Sequence, residues 1–149
     1  MKSLSVKLGV VIIVVGLSVF LSAGAWGADW KYLAAGENGI CWWYDSQGVT
    51  AQPDKMMRVW VKRVKVEEIS ESIKSGAKID RSQLEKMISE KDYELFLMEI
   101  DCVGKTVRGL QKSNYDSKGV LKSGESIIDT KKGIPADSVA ERLYKIVCE

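Results

Sequence analysis

The stretch of sequence that decides the fold is residues 93–102, which read Tyr93-Glu94-Leu95-Phe96-Leu97-Met98-Glu99-Ile100-Asp101-Cys102. Apolar side chains recur at every second position from Phe96 to Cys102, so they share one face of an extended chain. Leu95 and Leu97 add apolar bulk to the opposite face. The pattern predicts a β-strand, and it is the strongest strand signal in the sequence.

Weaker strand signals flank this stretch at residues 40–44, 56–66 and 105–110, with turn signals at 37–39, 45–48 and 114–119. Within residues 56–66, Val59 and Val61 point to one face and Trp60 to the other, as in a half-buried antiparallel strand. The apolar parity changes at Arg63 and Val64, which is consistent with a β-bulge. Short adjacent strands joined by tight turns predict an antiparallel meander.

Capping signals and periodicity predict two helices. Residues 80–91 begin at Asp80, a good N-cap, and carry the apolar stripe Leu84, Met87 and Ile88. The preceding residues 67–78 are predicted to be a polar connection with some helix. Near the C-terminus, Ser138 and Glu141 form a capping box, and an apolar stripe that should pack on the sheet follows: Val139, Leu143, Ile146 and Val147. The predicted fold class is α+β, an antiparallel sheet packed by a C-terminal helix.

Residues 1–27 have the three-part pattern of a secretory signal peptide. Lys2 and Lys7 precede an apolar run, and small residues follow it. Cleavage after Gly27 fits best, cleavage after Ala25 is the near alternative, and an uncleaved anchor is the rival interpretation. We therefore expect residues 28–149 to be a single exported domain with no stable membrane span after cleavage, in the periplasm or at the cell surface.

Composition excludes several classes of function. The chain of 149 residues has no histidine, so a Ser-His-Asp triad, a Cys-His pair and a histidine metal ligand are impossible. Its net charge is +2, and without Lys2 and Lys7 the 20 remaining basic residues balance 20 acidic ones. That balance does not favour nucleic acid as a partner. No metal-loop spacing or phosphate-binding glycine loop is present, and we expect no metal and no cofactor.

Three cysteines fall in the predicted exported domain, and an odd count leaves one thiol over. Three pairings are possible. A bridge from Cys148 to Cys102 would hold down the last helix and contribute about 4 kcal/mol in the chain-entropy model. Cys41 lies in an apolar strand, where a buried free thiol is the expectation. A reactive thiol and a thiol that links a homodimer are the alternatives.

Charged residues give no catalytic pattern. Four acids could supply a carboxylate pair, namely Asp45, Glu99, Asp101 and Asp116, but their expected positions are strand edges and turns. A basic patch for anionic ligands could form from Lys62, Arg63, Lys65, Arg108 and Lys112. The acids at residues 67–71 follow closely, so a solvated surface of mixed charge is the favoured interpretation.

Tryptophans mark the candidate binding or dimer surface. Trp42 and Trp43 are consecutive, so in a strand their rings point to opposite faces of the sheet. A core on one side of the sheet could bury only one of them. Trp60 shares its face with charged neighbours, so the sequence also leaves open whether its ring is buried or exposed. Since tryptophan is enriched at interface hot spots, all three are candidates for a surface that binds a partner.

The exported part of the chain resembles the surface-adhesin protein E family of Gram-negative bacteria. The matching features run in order: Trp30, Tyr44-Asp45, the strand 58–62, the strand 93–102, Arg108, Tyr115-Asp116 with Gly119, Ile134-Pro135 and the helix 138–148. Cys41 and the stretch 127–129 depart from the family pattern. The resemblance implies an antiparallel sheet with a C-terminal helix held by a Cys102–Cys148 disulfide, and adhesion to extracellular-matrix proteins.

The sequence therefore predicts an exported, non-enzymatic, adhesin-like binding module that contacts a protein or another envelope or extracellular component through a sheet face. A small-molecule sensor or carrier with an aromatic-lined pocket is the main alternative. A periplasmic enzyme that uses carboxylates or Cys41 is a third hypothesis, and a homodimer joined through Cys41 is a fourth.

Overall fold

The computed structural model describes residues 27–36, 38–76, 78 and 80–149. The signal peptide predicted for residues 1–27 lies outside these ranges, apart from Gly27. Among the residues described, no helix is long and apolar enough to cross a membrane.

Within the described residues, eight strands form one antiparallel sheet. Their bounds are β1 Trp30–Ala35, β2 Ile40–Asp45, β3 Thr50–Gln52, β4 Met56–Lys65, β5 Tyr93–Asp101, β6 Thr106–Tyr115, β7 Leu121–Ser126 and β8 Lys132–Gly133. The order is β1-β2-β4-β5-β6-β7, with β3 beside β4 and β8 beside β6. The predicted antiparallel sheet is confirmed, and its strongest strand signal forms β5, which pairs with both β4 and β6 along its whole length.

Three α-helices complete the described chain: α1 Glu67–Lys74, α2 Arg81–Ser89 and α3 Val139–Cys148. The Asp80 side chain caps α2 by accepting from the Ser82 N–H. Ser138 caps α3, since its hydroxyl oxygen accepts from the Glu141 N–H at 3.1 Å. Both predicted helix starts are therefore confirmed, and α1 occupies the stretch predicted as a connection with some helix.

The two faces of the sheet have separate cores. The face that carries Cys41, Trp43 and Val64 packs against Ile69 of α1 and Leu84 of α2, and we call it the α2 face. The opposite face carries Val59, Val61 and Ile100 and packs against Leu143 of α3, and we call it the α3 face. Burial of apolar side chains on both sides means that one core depends on α1 and α2 and the other on α3.

The apolar positions of β4 change parity because this strand contributes side chains to both cores. Register between β4 and β5 is continuous from Met56 to Val64, so the β-bulge expected at Arg63 and Val64 is absent. Val61 is buried under α3, whereas Val64 points to the other face and is buried under the α1–α2 side. A register shift does occur between Leu97 and Met98, where β5 pairs with β6.

A disulfide joins Cys102, just after β5, to Cys148 at the end of α3, as predicted. The Tyr144 hydroxyl also donates to the Cys102 carbonyl oxygen at 3.1 Å. Both contacts orient α3 so that the side carrying Tyr144 and Cys148 faces the end of β5. The prediction that Ile146 packs on the sheet is therefore wrong: Ile146 lies on the other side of the helix and is 46% exposed.

Candidate binding site

The two consecutive tryptophans lie on opposite faces, as the strand geometry requires. Trp43 is 6% exposed in the core of the α2 face, where Tyr32 meets its ring edge-to-face at 5.8 Å. Trp42 is half-buried on the α3 face, beside the core that includes Leu143. Of this pair, only Trp42 is placed to contact a ligand.

Trp42 lines an apolar cleft of about 320 Å³ between α3 and the sheet. We call it the α3 cleft, and its walls comprise Trp42, Val61, Met98, Val107, Pro135, Ser138, Val139, Ala140 and Leu143. The Ser138 hydroxyl is already used in the helix cap and by donating to the Pro135 carbonyl oxygen at 2.7 Å. The cleft is therefore suited to an apolar group of small-ligand size.

An aromatic and basic cluster adjoins the cleft on the same face. The Trp42 and Phe96 rings lie 6.4 Å apart, and the Arg63 guanidinium lies 5.6 Å and 5.0 Å from their respective centroids. Lys112 lies 5.8 Å from the Phe96 centroid. Glu94 pairs with both Arg63 and Lys112, the latter at 2.9 Å. The cations are thus held over the rings by one shared carboxylate.

The Glu94 carboxylate is partly withdrawn from water, since its side chain is 25% exposed. Burial opposes its ionisation, but the hydrogen bonds from Lys112 and Arg63 outweigh that effect, and the pKa of Glu94 is lowered. The cluster is therefore a stable arrangement of paired charges at neutral pH.

A polar trough of about 420 Å³ lies beyond the cluster, at the end of the sheet away from α3. Its lining comprises Arg63, Lys65, Asp92, Tyr93, Glu94, Asn114, Tyr115, Lys122 and Ser123. The amide of Asn114 donates to the Ser123 hydroxyl at 2.7 Å, and Lys122 pairs with Asp92 at 2.9 Å. The trough is therefore lined by both hydrogen-bond donors and hydrogen-bond acceptors.

The four candidate carboxylates all have hydrogen-bond partners within the chain. Glu99, with 4% of its side chain exposed on the α2 face, accepts from Arg58 at 2.9 Å and from Arg108 at 2.8 Å. Asp45, Asp101 and Asp116 accept backbone N–H groups in turns. The expected turn positions are confirmed for these three acids, whose turn-capping carboxylates are structural, but the expectation is wrong for Glu99, which is buried in β5 between β4 and β6.

The remaining sequence candidates are divided between the two faces. Trp60 is half-buried on the α2 face, in register with Leu97 and on the same side as Arg58 and Lys62. Lys62 lies 4.4 Å from the Tyr93 centroid, and its burial lowers the pKa of the ammonium group. Because Arg63 is on the α3 face, the predicted basic residues do not form one patch.

Cys41 is a free cysteine and is 0% exposed. Burial raises the pKa of its thiol to about 11, which leaves very little thiolate at neutral pH. It borders a cavity of about 160 Å³ under Tyr32 and Leu84. In the described part of the chain, no group of three or more acidic or cysteine side chains could hold a metal ion.

Sequence patterns indicated Trp42 but did not indicate the cleft. Met98 and Val139 were recognised only as members of a strand face and a helix stripe. The cleft exists where α3 lies over one end of the face, and periodicity does not show where a helix crosses a sheet.

Comparisons with known proteins add no family. No family model matches the chain, and neither the curated proteins nor the solved structures give a significant match.

Proposed function

We propose that this chain is an exported, non-enzymatic binding module whose binding surface is the α3 cleft with the adjoining aromatic and basic cluster. The observation that carries the proposal is the apolar cleft of about 320 Å³ beside Trp42. Its partner is a protein or another component of the envelope or the extracellular space. The periplasm or the cell surface is the proposed location.

The chemistry of the described residues favours binding over catalysis. The candidate carboxylates are engaged in turns or with arginines, so none is poised for proton transfer. The Cys41 thiol is buried and has a raised pKa, which opposes a nucleophilic role. The full sequence has no histidine to act as a general base.

A protein partner would place an apolar side chain in the α3 cleft. Trp42, Phe96 and Arg63 at its border are residue types enriched at interfaces. The resemblance to the surface-adhesin protein E family supports this form of the proposal and makes extracellular-matrix proteins the first partners to test.

The test is surface plasmon resonance on purified matrix proteins. Trp42→Ala and Val139→Phe, which respectively remove one wall of the cleft and fill it, should each weaken binding at least tenfold. Ile146→Phe enlarges an exposed side chain two turns further along α3, outside the lining of the cleft, and should leave binding unchanged. Circular dichroism confirms that each variant folds. If neither cleft variant weakens binding, the proposal is contradicted.

The second candidate is a carrier or sensor of a small molecule, and the size of the α3 cleft favours it. A ligand that binds only the native state raises the melting temperature, and by more when it binds more tightly at a given concentration. A thermal-shift screen should therefore yield apolar compounds that stabilise the parent protein and not Val139→Phe.

A further inference from the structure

The α3 cleft and the polar trough are neighbouring parts of one surface. Trp42, which lines the cleft, is the cross-strand neighbour of Arg63, which lines the trough. Val61 in the cleft is likewise paired with Phe96, and Phe96 with Lys112. A ligand that leaves the cleft along this face therefore crosses the Trp42 and Arg63 contact and enters the trough.

The two cavities differ in chemistry, because the cleft is lined almost entirely by apolar atoms, whereas the trough also presents many polar atoms. The cleft offers apolar walls and a hydroxyl that the helix cap already uses. The trough offers amide, hydroxyl, carboxylate and ammonium groups. A molecule with an apolar chain at one end and a polar head at the other matches this order of surfaces.

The ion pairs in the trough affect which kind of polar head group can bind there. Arg63 is paired with Glu94, Lys122 with Asp92, and Lys65 with Glu67 outside the trough. A head with a net charge would have to compete with the partner that each of these side chains already has. Hydroxyl groups can donate to the carboxylates and accept from the cations without separating them.

From these contacts we infer that the α3 face binds a glycolipid-type amphiphile, with its apolar chain in the α3 cleft and its uncharged, hydroxyl-rich head in the polar trough. The inference rests on the proposed binding function and names the chemistry of one envelope component. The Trp42 ring lies where chain and head would join, and tryptophan suits such a position because its apolar ring carries one N–H.

The probe is decyl maltoside, kept below its micelle-forming concentration and measured by isothermal titration calorimetry with the whole exported domain. Maltose and decanol test the two halves separately. Decanoate and decyltrimethylammonium test a charged head. Decyl maltoside should bind at least tenfold more tightly than decanol and than either charged amphiphile.

Variants locate the two halves of the ligand. Val139→Phe should weaken the binding of decyl maltoside at least tenfold, and Ile146→Phe should leave it unchanged. Asn114→Ala removes one contact to the head group, which corresponds to about fivefold in affinity. It should weaken the binding of decyl maltoside and leave the binding of decanol unchanged. Ser126→Ala on the same hairpin but outside the trough is the matched control.

Three outcomes overturn the inference: no binding of decyl maltoside, tighter binding of a charged amphiphile, or equal binding of decanol and decyl maltoside. If matrix proteins still bind through the cleft in any of these cases, the binding module stands and only the glycolipid assignment fails. If cleft variants affect neither ligand, the binding module itself is wrong.

Discussion

The Val66 N–H donates to the Gly39 carbonyl oxygen at 2.8 Å, which fixes the turn before β2 against the end of β4. Gly39 has a φ of +74°, and a Cβ there would overlap the Val66 carbonyl oxygen and lie 3.3 Å from the Ser70 Cβ. The position therefore needs glycine for two reasons, its backbone conformation and its lack of space.

We expect Gly39→Ala to lower the free energy of unfolding by about 3 kcal/mol, combining left-handed strain with overpacking. Gly76→Ala is the matched control, since Gly76 has a φ of +73° but no atom of the described residues lies within 4 Å of where a Cβ would be. It should cost only the strain, about 1 kcal/mol. Urea unfolding measures both variants, and equal losses would show that the space at Gly39 does not matter.

The disulfide gives a second prediction. It closes a loop across a sequence separation of 46, which corresponds to about 4 kcal/mol in the chain-entropy model. The double variant Cys102→Ser with Cys148→Ser should lose most of that stability in urea unfolding. Reduction of the parent protein should give the same loss, whereas Cys41→Ala should leave the response to reductant unchanged. An unaltered urea midpoint after reduction contradicts the prediction.

Much of the sheet could be predicted because strand signals are local. Residues 93–102 alternate cleanly, and the turn residues around them mark the strand ends. The Cys102–Cys148 pairing agreed with the position of Cys148 at the end of an amphipathic helix. The helix caps at Asp80 and Ser138 could also be predicted from the sequence, because a cap is a hydrogen bond between residues close in sequence.

What could not be predicted depends on which helix covers which face. The parity change at Val64 suggested a bulge, since a single core was assumed for β4. A second core under α1 and α2 explains it without any register shift. Likewise, Ile146 fits an ideal stripe, and only the contacts of Tyr144 and Cys148 with the sheet end show which way α3 turns.

Cys41 gives a third prediction. Because the thiol is fully buried and its pKa is about 11, iodoacetamide should not label the native protein at pH 8. In urea, without reductant, mass spectrometry should find one alkylated cysteine, and peptide mapping should place it at Cys41. Rapid labelling of the native protein, or a dimer band on a non-reducing gel that Cys41→Ala removes, would revive the reactive-thiol and dimer hypotheses.

The fourth prediction concerns Glu99, whose buried carboxylate joins Arg58 and Arg108. Burial disfavours its charge, but the hydrogen bonds from the two arginines outweigh burial and lower the pKa of Glu99 from its ordinary 4.5. Because the folded-state pKa is the lower one, the contribution to stability is complete above about pH 4.5 and is lost as the pH falls through the lowered value.

Glu99→Gln should therefore lower the free energy of unfolding by about 2 kcal/mol at pH 7, a value reduced by the partial exposure of both arginines. The gap between the parent and Glu99→Gln should narrow as the pH falls below 4.5, since a protonated Glu99 resembles glutamine. Glu94→Gln is the matched comparison, and its loss at pH 7 should be smaller because Glu94 is 25% exposed and Glu99 only 4%. Urea unfolding between pH 3 and 7 gives all three curves. A gap that stays constant across this range would show that the stability of the cluster does not depend on the charge of Glu99.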